Sequence, residues 1–187
     1  MIFENVDPRT LVINEAELSS RLSSPIDIGD ISGLYESILE VAKPMYAAVR
    51  VKLIREEGAI LIGNERVEST ALLRVLDGCD ECALMVATLG VGVDRLLLKR
   101  AQMSVSEAFI LDAIADALIE ALCDRAQSGL GGGAASSRFS PGYADLDLSF
   151  GRTILAMTDA QRRLGINLTE SGLMVPRKSV NAIVAIR

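Results

Sequence analysis

The sequence predicts an α+β fold, a single domain with a mixed or antiparallel sheet packed by helices. Three observations carry this. Half of the 187 residues are hydrophobic, enough for one sizeable core. Segments of helical periodicity and short β-rich runs both occur, without the strict alternation that a parallel sheet would need. Turn residues separate them, and no internal repeat is evident.

Residues 1–30 mix short apolar pieces with turn candidates at Asp7-Pro8 and at the Ser-Ser-Pro of 23–25, and form a loosely assigned N-terminal segment before a domain over 31–187. From Ile31 to Val41, Leu34, Ile38, Leu39 and Val41 recur at helical spacing until Pro44 ends or kinks the segment. Met45 to Ile54 is rich in Val and Ala, Glu57-Gly58 reads as a turn, and Ala59 to Ile62 is short and apolar, so two paired strands are expected. Ser69 can cap a helix that runs through Leu76 and stops at Asp77-Gly78, and Cys82 to Leu89 reads as a buried strand.

The most strongly patterned helix spans Ser104 to Arg125, with Ser104 or Ser106 as N-cap, Glu107 near the positive end, and Phe109, Ile110, Ile114, Ala117, Leu118 and Ala121 on its apolar face. The Gly- and Ser-rich stretch 128–137 is a flexible connector by composition. Phe150 to Leu164 reads as one more helix, and Ala182 to Ile186 as a closing strand.

Composition excludes several functions. The formal charge is -6, and Lys and Arg form no basic stripe, which argues against nucleic acid as a partner. No apolar run is long enough to span a bilayer and the N-terminus lacks the regions of a signal peptide, so a cytoplasmic protein with no membrane association is expected. The odd count of three cysteines argues against a disulfide framework. With no histidine, a Ser-His-Asp triad, a Cys-His dyad and a His-ligated metal are excluded, and no metal site is expected. Cys79 and Cys82 have redox-motif spacing, but a structural zinc needs four ligands, so plain cysteines are the expectation. Gly90-Val-Gly92 lacks the third glycine of a dinucleotide fingerprint and reads as a strand-to-helix turn, and Gly131 to Gly133 lacks the Lys-Ser/Thr of a phosphate loop.

The C-terminal segments are the most specific feature. Arg138-Phe-Ser-Pro-Gly-Tyr143, Leu168-Thr-Glu-Ser171, Met174-Val-Pro176 and Ser179-Val180 follow one another in the order and spacing of a compound pattern. It resembles the activation domain of cobalamin-dependent methionine synthase, and Ala115-Asp116 with Glu120-Ala121 looks like that domain's acidic helix. The variant around Asp145 and the run 175–180 look more like the short, separately encoded activation subunits that accompany a truncated methionine synthase.

The resemblance implies an α+β fold of the activation-domain type, binding of S-adenosylmethionine, and support for the reductive methylation of cobalamin. The corrinoid would be presented by a partner, a truncated methionine synthase or related corrinoid protein, with a flavodoxin- or ferredoxin-like electron donor. The chain would then be a component of a methyltransferase system. Arg138, a planar fork of donors, is the candidate for the methionyl carboxylate, or else a surface arginine paired with Asp145 or Asp147. Pro141 and Gly142 make a tight corner from which Tyr143 projects, by resemblance near the corrin face and the methyl donor, or else packs the turn; Ser140 lies in the same block. Asp116 and Glu120, one helical turn apart, need a cation to relieve their repulsion: the ligand's, Arg125 or a nearby lysine. Glu170 and Ser179 fall in matched blocks and either touch the ligand or cap turns. Two other readings stay open: a non-catalytic docking or chaperone module for a corrinoid protein that binds no methyl donor, and an independent small-molecule methyltransferase.

Overall fold

A computed structural model of the chain describes residues 1–22, 28–131 and 137–187. The turn expected at 23–25 and the centre of the expected connector, 132–136, lie outside the described residues.

Strand β1 (Ile2–Asn5) leads to helix α1 (Glu15–Arg21), whose first amides are held by the Asn14 side chain, which accepts from Ala16 and Glu17. Helix α2 (Ser32–Val41) stops ahead of Pro44, and the long strand β2 (Met45–Glu56) turns through Glu57-Gly58 into β3 (Ala59–Ile62). Gly58 has φ +69°, the left-handed conformation that this tight connection requires. A third strand absent from the sequence expectation, β4 (Glu65–Val67), pairs with β3. Ser69 caps α3 (Thr70–Val75), its hydroxyl accepting from the Leu72 amide at 3.1 Å.

Strand β5 (Glu81–Thr88) enters helix α4 (Val91–Met103), of which the sequence reading contained only the leading turn. Of the two cap candidates for α5 (Val105–Ser128), Ser104 is the one used, accepting from Glu107. The single helix expected over 150–164 is two, α6 (Phe150–Met157) and α7 (Ala160–Leu164). Asp159 between them has φ +53°, which breaks the helical path. A small hairpin, β6 (Asn167–Leu168) and β7 (Met174–Val175), precedes β8 (Ser179–Ile186), which starts three residues ahead of the expected strand.

The main sheet has the order β4-β3-β2-β5-β8, with β1 on the same edge of β2 as β3, and every pair is antiparallel. Side chains alternate across it. Tyr46, Ala48, Ala83, Met85, Ala182 and Val184 face one core with α1, α2, α4 and α5, while Ala47, Leu84, Val86, Ile183 and Ala185 face a second with α3, α6 and α7. Because helices cover both faces, β5 is buried from Cys82 onward and reads as a continuous apolar run. Two contacts lock the helical layer. Tyr46 donates to Glu4 at 2.5 Å, and Glu4 also takes Arg125 of α5 at 2.6 Å. Gly92 lets α4 cross the end of α2 so closely that a Cβ there would stand 2.4 Å from the Val41 carbonyl oxygen.

Among the described residues no helix is long and apolar enough to cross a membrane; α5 is interrupted by Asp112, Asp116, Glu120 and Asp124. The three cysteines are buried and unbridged. Burial pushes the Cys82 and Cys123 thiols up to about 12, and burial with the Glu4 bond does the same for the Tyr46 phenol. Since these folded-state values lie above the unfolded ones, the native state binds more protons on the alkaline side. Stability is therefore expected to be fully present below the unfolded thiol value of about 9 and to fall as pH rises toward about 12. Urea unfolding from pH 7 to 11 checks this, and a flat profile would contradict it. At pH 8 a thiol reagent should label Cys82 and Cys123 no faster than the chain opens.

Candidate functional site

The outer face of α5 carries Asp112, Asp116, Glu120 and Asp124 at four-residue spacing, which aligns four carboxylates in one stripe. Unrelieved, such neighbours repel by a few tenths of a kcal/mol per pair. Cations from three distant segments relieve them. Lys178, just ahead of β8, lies 2.9 Å from Asp112 and 2.6 Å from Asp116, with its side chain only 9% exposed. Arg21 at the end of α1 reaches Asp116 at 3.4 Å while holding Glu17 at 2.8 Å. Arg138 binds Glu120, Asp124 at 2.6 Å and the Gln127 side-chain oxygen at 3.0 Å. Arg125, the other cation considered for the stripe, turns to Glu4 instead.

The expected alternative partners of Arg138 are corrected by this arrangement. Asp145 belongs to α3: it takes the Ser69 hydroxyl at 2.5 Å and the Thr70 and Ala71 amides at 2.7 and 3.2 Å, and these bonds, the Ser69 one foremost, hold its carboxyl below the usual range. Asp147 takes the Ser149 amide at 2.7 Å. The guanidinium of Arg138 is 18% exposed as a side chain and points into α5, so its fork is filled by protein acceptors.

Beside the stripe lies a cavity of about 190 Å³, lined by Arg21, Asp116, Ile119, Glu120 and the run Arg177 to Val180. It brings together Asp116, Glu120 and Ser179 of the expected residues, from segments more than fifty residues apart, and Glu120 ties it to Arg138. The Ser179 hydroxyl donates to Thr88 at 2.8 Å, fixing the start of β8 against the end of β5. Arg21, Arg177 and Lys178 are lining residues that the sequence reading missed. Only the position of Arg177 and Lys178 directly before Ser179, inside the matched run, pointed toward two of them.

The other expected residues lie on loops outside this lining. Phe139 exchanges two backbone hydrogen bonds with Ile183 of β8, at 2.9 and 2.8 Å, and so carries the 138–143 segment along the edge of the sheet. The Ser140 carbonyl accepts the Tyr143 amide at 3.1 Å across Pro141 and Gly142, and Gly142 has φ +85°, as this turn demands. Tyr143 projects from it, 69% exposed, its ring edge-on to Phe139 at 5.7 Å. Glu170 is exposed in the β6–β7 hairpin, and its carbonyl accepts from Arg152 at 3.4 Å.

Three larger hollows contain none of the expected residues: one of about 340 Å³ beside α6 and α7, one of about 530 Å³ at the far end of β2, β5 and β8, and one of about 350 Å³ at the α4–α5 junction, which Arg177 also lines. Among the described residues no group of acidic or cysteine side chains is arranged to hold a metal ion. The cavity beside α5 presents paired charges and a hydroxyl, and no activated nucleophile. Such a lining can offer charge pairing and hydrogen bonds to a small polar molecule.

No protein-family model matches the chain, and no curated protein matches it. Among solved structures it is similar to one described as the MetH reactivation domain bound to AdoHcy, with a TM-score of 0.73 at 16% identity, over 99% of this chain and 78% of that one. The chain therefore has the fold of that domain, a helix-packed antiparallel sheet.

Proposed function

We propose that the chain binds S-adenosylmethionine in the groove between the acidic stripe of α5 and the start of β8, and that it serves a corrinoid protein by delivering the methyl group. The observation that carries this reading is the convergence of Asp116 and Glu120 of the matched acidic helix with Ser179 of the matched Ser-Val block on one cavity, within a fold shared with a domain described as bound to AdoHcy. The ammonium and sulfonium of the ligand are compatible with the carboxylates of the stripe.

In the proposed reaction one electron and the methyl group pass to cobalt(II), and S-adenosylhomocysteine is left. Cobalt is the nucleophile and belongs to the partner, so this chain contributes binding and orientation. The cobalamin would be presented by a truncated methionine synthase or related corrinoid protein, and the electron supplied by a flavodoxin- or ferredoxin-like donor. Tyr143, exposed on a loop pinned through Phe139 and Asp145, is suited to meet the corrin face.

A docking module without methyl-donor affinity is the second reading. It is favoured by the exposed apolar side chains Leu98, Met103, Val105 and Phe109 around the α4–α5 junction, a surface of the kind that protein partners cover. Calorimetric titration with S-adenosylmethionine and S-adenosylhomocysteine separates the two. Saturable binding of both is the expected result. Failure of both to bind would sink the methyl-donor reading and leave docking, which predicts co-elution with a cobalamin-loaded partner.

A further inference from the structure

We propose that the hollow at the α4–α5 junction receives an acidic amphipathic helix of a partner protein. The inference builds on the docking reading above and holds with or without a methyl donor in the groove beside α5. Helices α4 and α5 meet at one residue, Ser104, whose amide closes the first helix on Arg100 at 2.8 Å and whose hydroxyl caps the second at the Glu107 amide. The Arg100 and Glu107 side chains, 2.7 Å apart, brace the corner. Between the helices lies the hollow of about 350 Å³, where the small side chains of Ala101 and Ala108 leave space beside Leu97. Leu98, Val105 and Phe109 also line it, yet they are 64%, 79% and 58% exposed, and Met103 next to them is 69% exposed. Phe109 belongs by periodicity to the apolar face of α5, but it is left out of the core. A braced corner that holds large apolar side chains in water is a preformed surface for a partner to cover.

The charges around the hollow decide what fits it. Arg95 and Lys99, one turn apart on α4, and Arg177, which lines the hollow, are exposed, and none of the three has an ion pair with a described residue. The carboxylates of this region are taken: Asp94 accepts the Arg177 amide at 2.7 Å, Glu107 pairs with Arg100, and Asp112 pairs with Lys178 at 2.9 Å. On a chain of net charge -6, uncompensated cations gathered around an apolar hollow are complementary to an acidic partner. A second copy seated across a two-fold axis would set the three cations against their own images. An anionic bilayer would find a concave surface with no wedge to insert, and Asp112, 45% exposed in the lining, would meet its headgroups. An amphipathic helix fits both features: apolar side chains three and four residues apart enter between α4 and α5, and carboxylates on its flanks meet Arg95, Lys99 and Arg177.

The test titrates the full chain, with labelled methyl groups, with a synthetic amphipathic helix bearing leucines on one face and glutamates on the other, and with a matched peptide in which lysines replace the glutamates. The acidic peptide should shift the Leu98, Met103 and Val105 methyl resonances saturably, and the lysine peptide should leave them in place. The double variant Arg95→Glu, Lys99→Glu should weaken the acidic peptide about tenfold, and Phe109→Ala should weaken it as well; all three side chains are exposed, so the fold should survive, as an unchanged urea midpoint would show. Equal binding of the two peptides, or no saturable shift at these methyls, would overturn the proposal. So would shifts of the same resonances on concentrating the chain alone, which would mean a second copy, or on adding phosphatidylglycerol vesicles in place of the peptide, which would mean a membrane. Calorimetry with S-adenosylhomocysteine reads the groove beside α5 separately, so failure of the peptide leaves the methyl-donor reading standing, and failure of the methyl donor leaves this site standing.

Discussion

Gly92→Ala should destabilise the protein by about 2–3 kcal/mol, the cost of forcing atoms into a packed contact. The added Cβ would lie 2.4 Å from the Val41 carbonyl oxygen and 3.3 Å from the Val41 Cβ. The obstacle is backbone, and it cannot step aside. The end of α2 is held by the Ala42 amide on Ile38 at 2.8 Å, the Lys43 amide on Leu89 at 2.8 Å and the Val6 amide on the Pro44 carbonyl at 2.9 Å. Gly33 in the first turn of α2 is the control, since a Cβ there meets nothing within 4 Å. Gly33→Ala should stabilise by up to about 1 kcal/mol. The two urea midpoints should move in opposite directions, and a Gly92→Ala protein as stable as its parent would refute the account of the α2–α4 crossing.

Arg138→Ala should cost about 1–2 kcal/mol of stability and weaken adenosyl-ligand binding at least tenfold. Most of the effect is expected through Glu120, whose side chain is 35% exposed, and little through Asp124, which is 72% exposed and well solvated once unpaired. With its partner gone, Glu120 sits one turn from both Asp116 and Asp124 with nothing to orient it. Glu120→Gln on the Arg138→Ala background should therefore recover part of the lost stability. A double-mutant cycle reads the coupling. Strictly additive losses would mean that the two side chains do not act together.

Much of the fold was legible in local signals. Ser69 and Ser104 were readable as caps because a hydroxyl followed by a helical apolar pattern has one economical use, satisfying the first amides. Glu57-Gly58 was readable as a hairpin turn because the flanking runs are β-prone. Helix α4 was obscured by Arg95, Lys99 and Arg100, and by Leu98 on its exposed side, which blur the apolar stripe. The break at Asp159 carries neither glycine nor proline, and β4 is three residues long, two of them charged.

Within the candidate site, the motif blocks were legible while the charge pairing was not. The Lys178–Asp116 contact spans 62 residues, and the bond from the Arg177 amide to Asp94 spans 83. No local periodicity encodes such a pairing. Arg138 illustrates this: its ion pairs with Glu120 and Asp124 tie the motif to α5, and nothing local to residues 138–143 names those partners.

The sheet order also bears on how the chain folds. β5 lies between β2, its predecessor in the sheet, and β8, which begins about ninety residues after β5 ends. A chain emerging from the ribosome therefore carries β5 with one bare edge while α4 through β7 are being made. Closing that edge requires one long-range pairing, an entropic cost that slows the final step. Until then the most apolar strand of the sheet is open to mispairing, and the segment from Arg138 to Tyr143, which aligns with β8, has no strand to rest on. The groove beside α5 cannot be complete until β8 has paired, because the run Arg177 to Val180 at its start forms one wall.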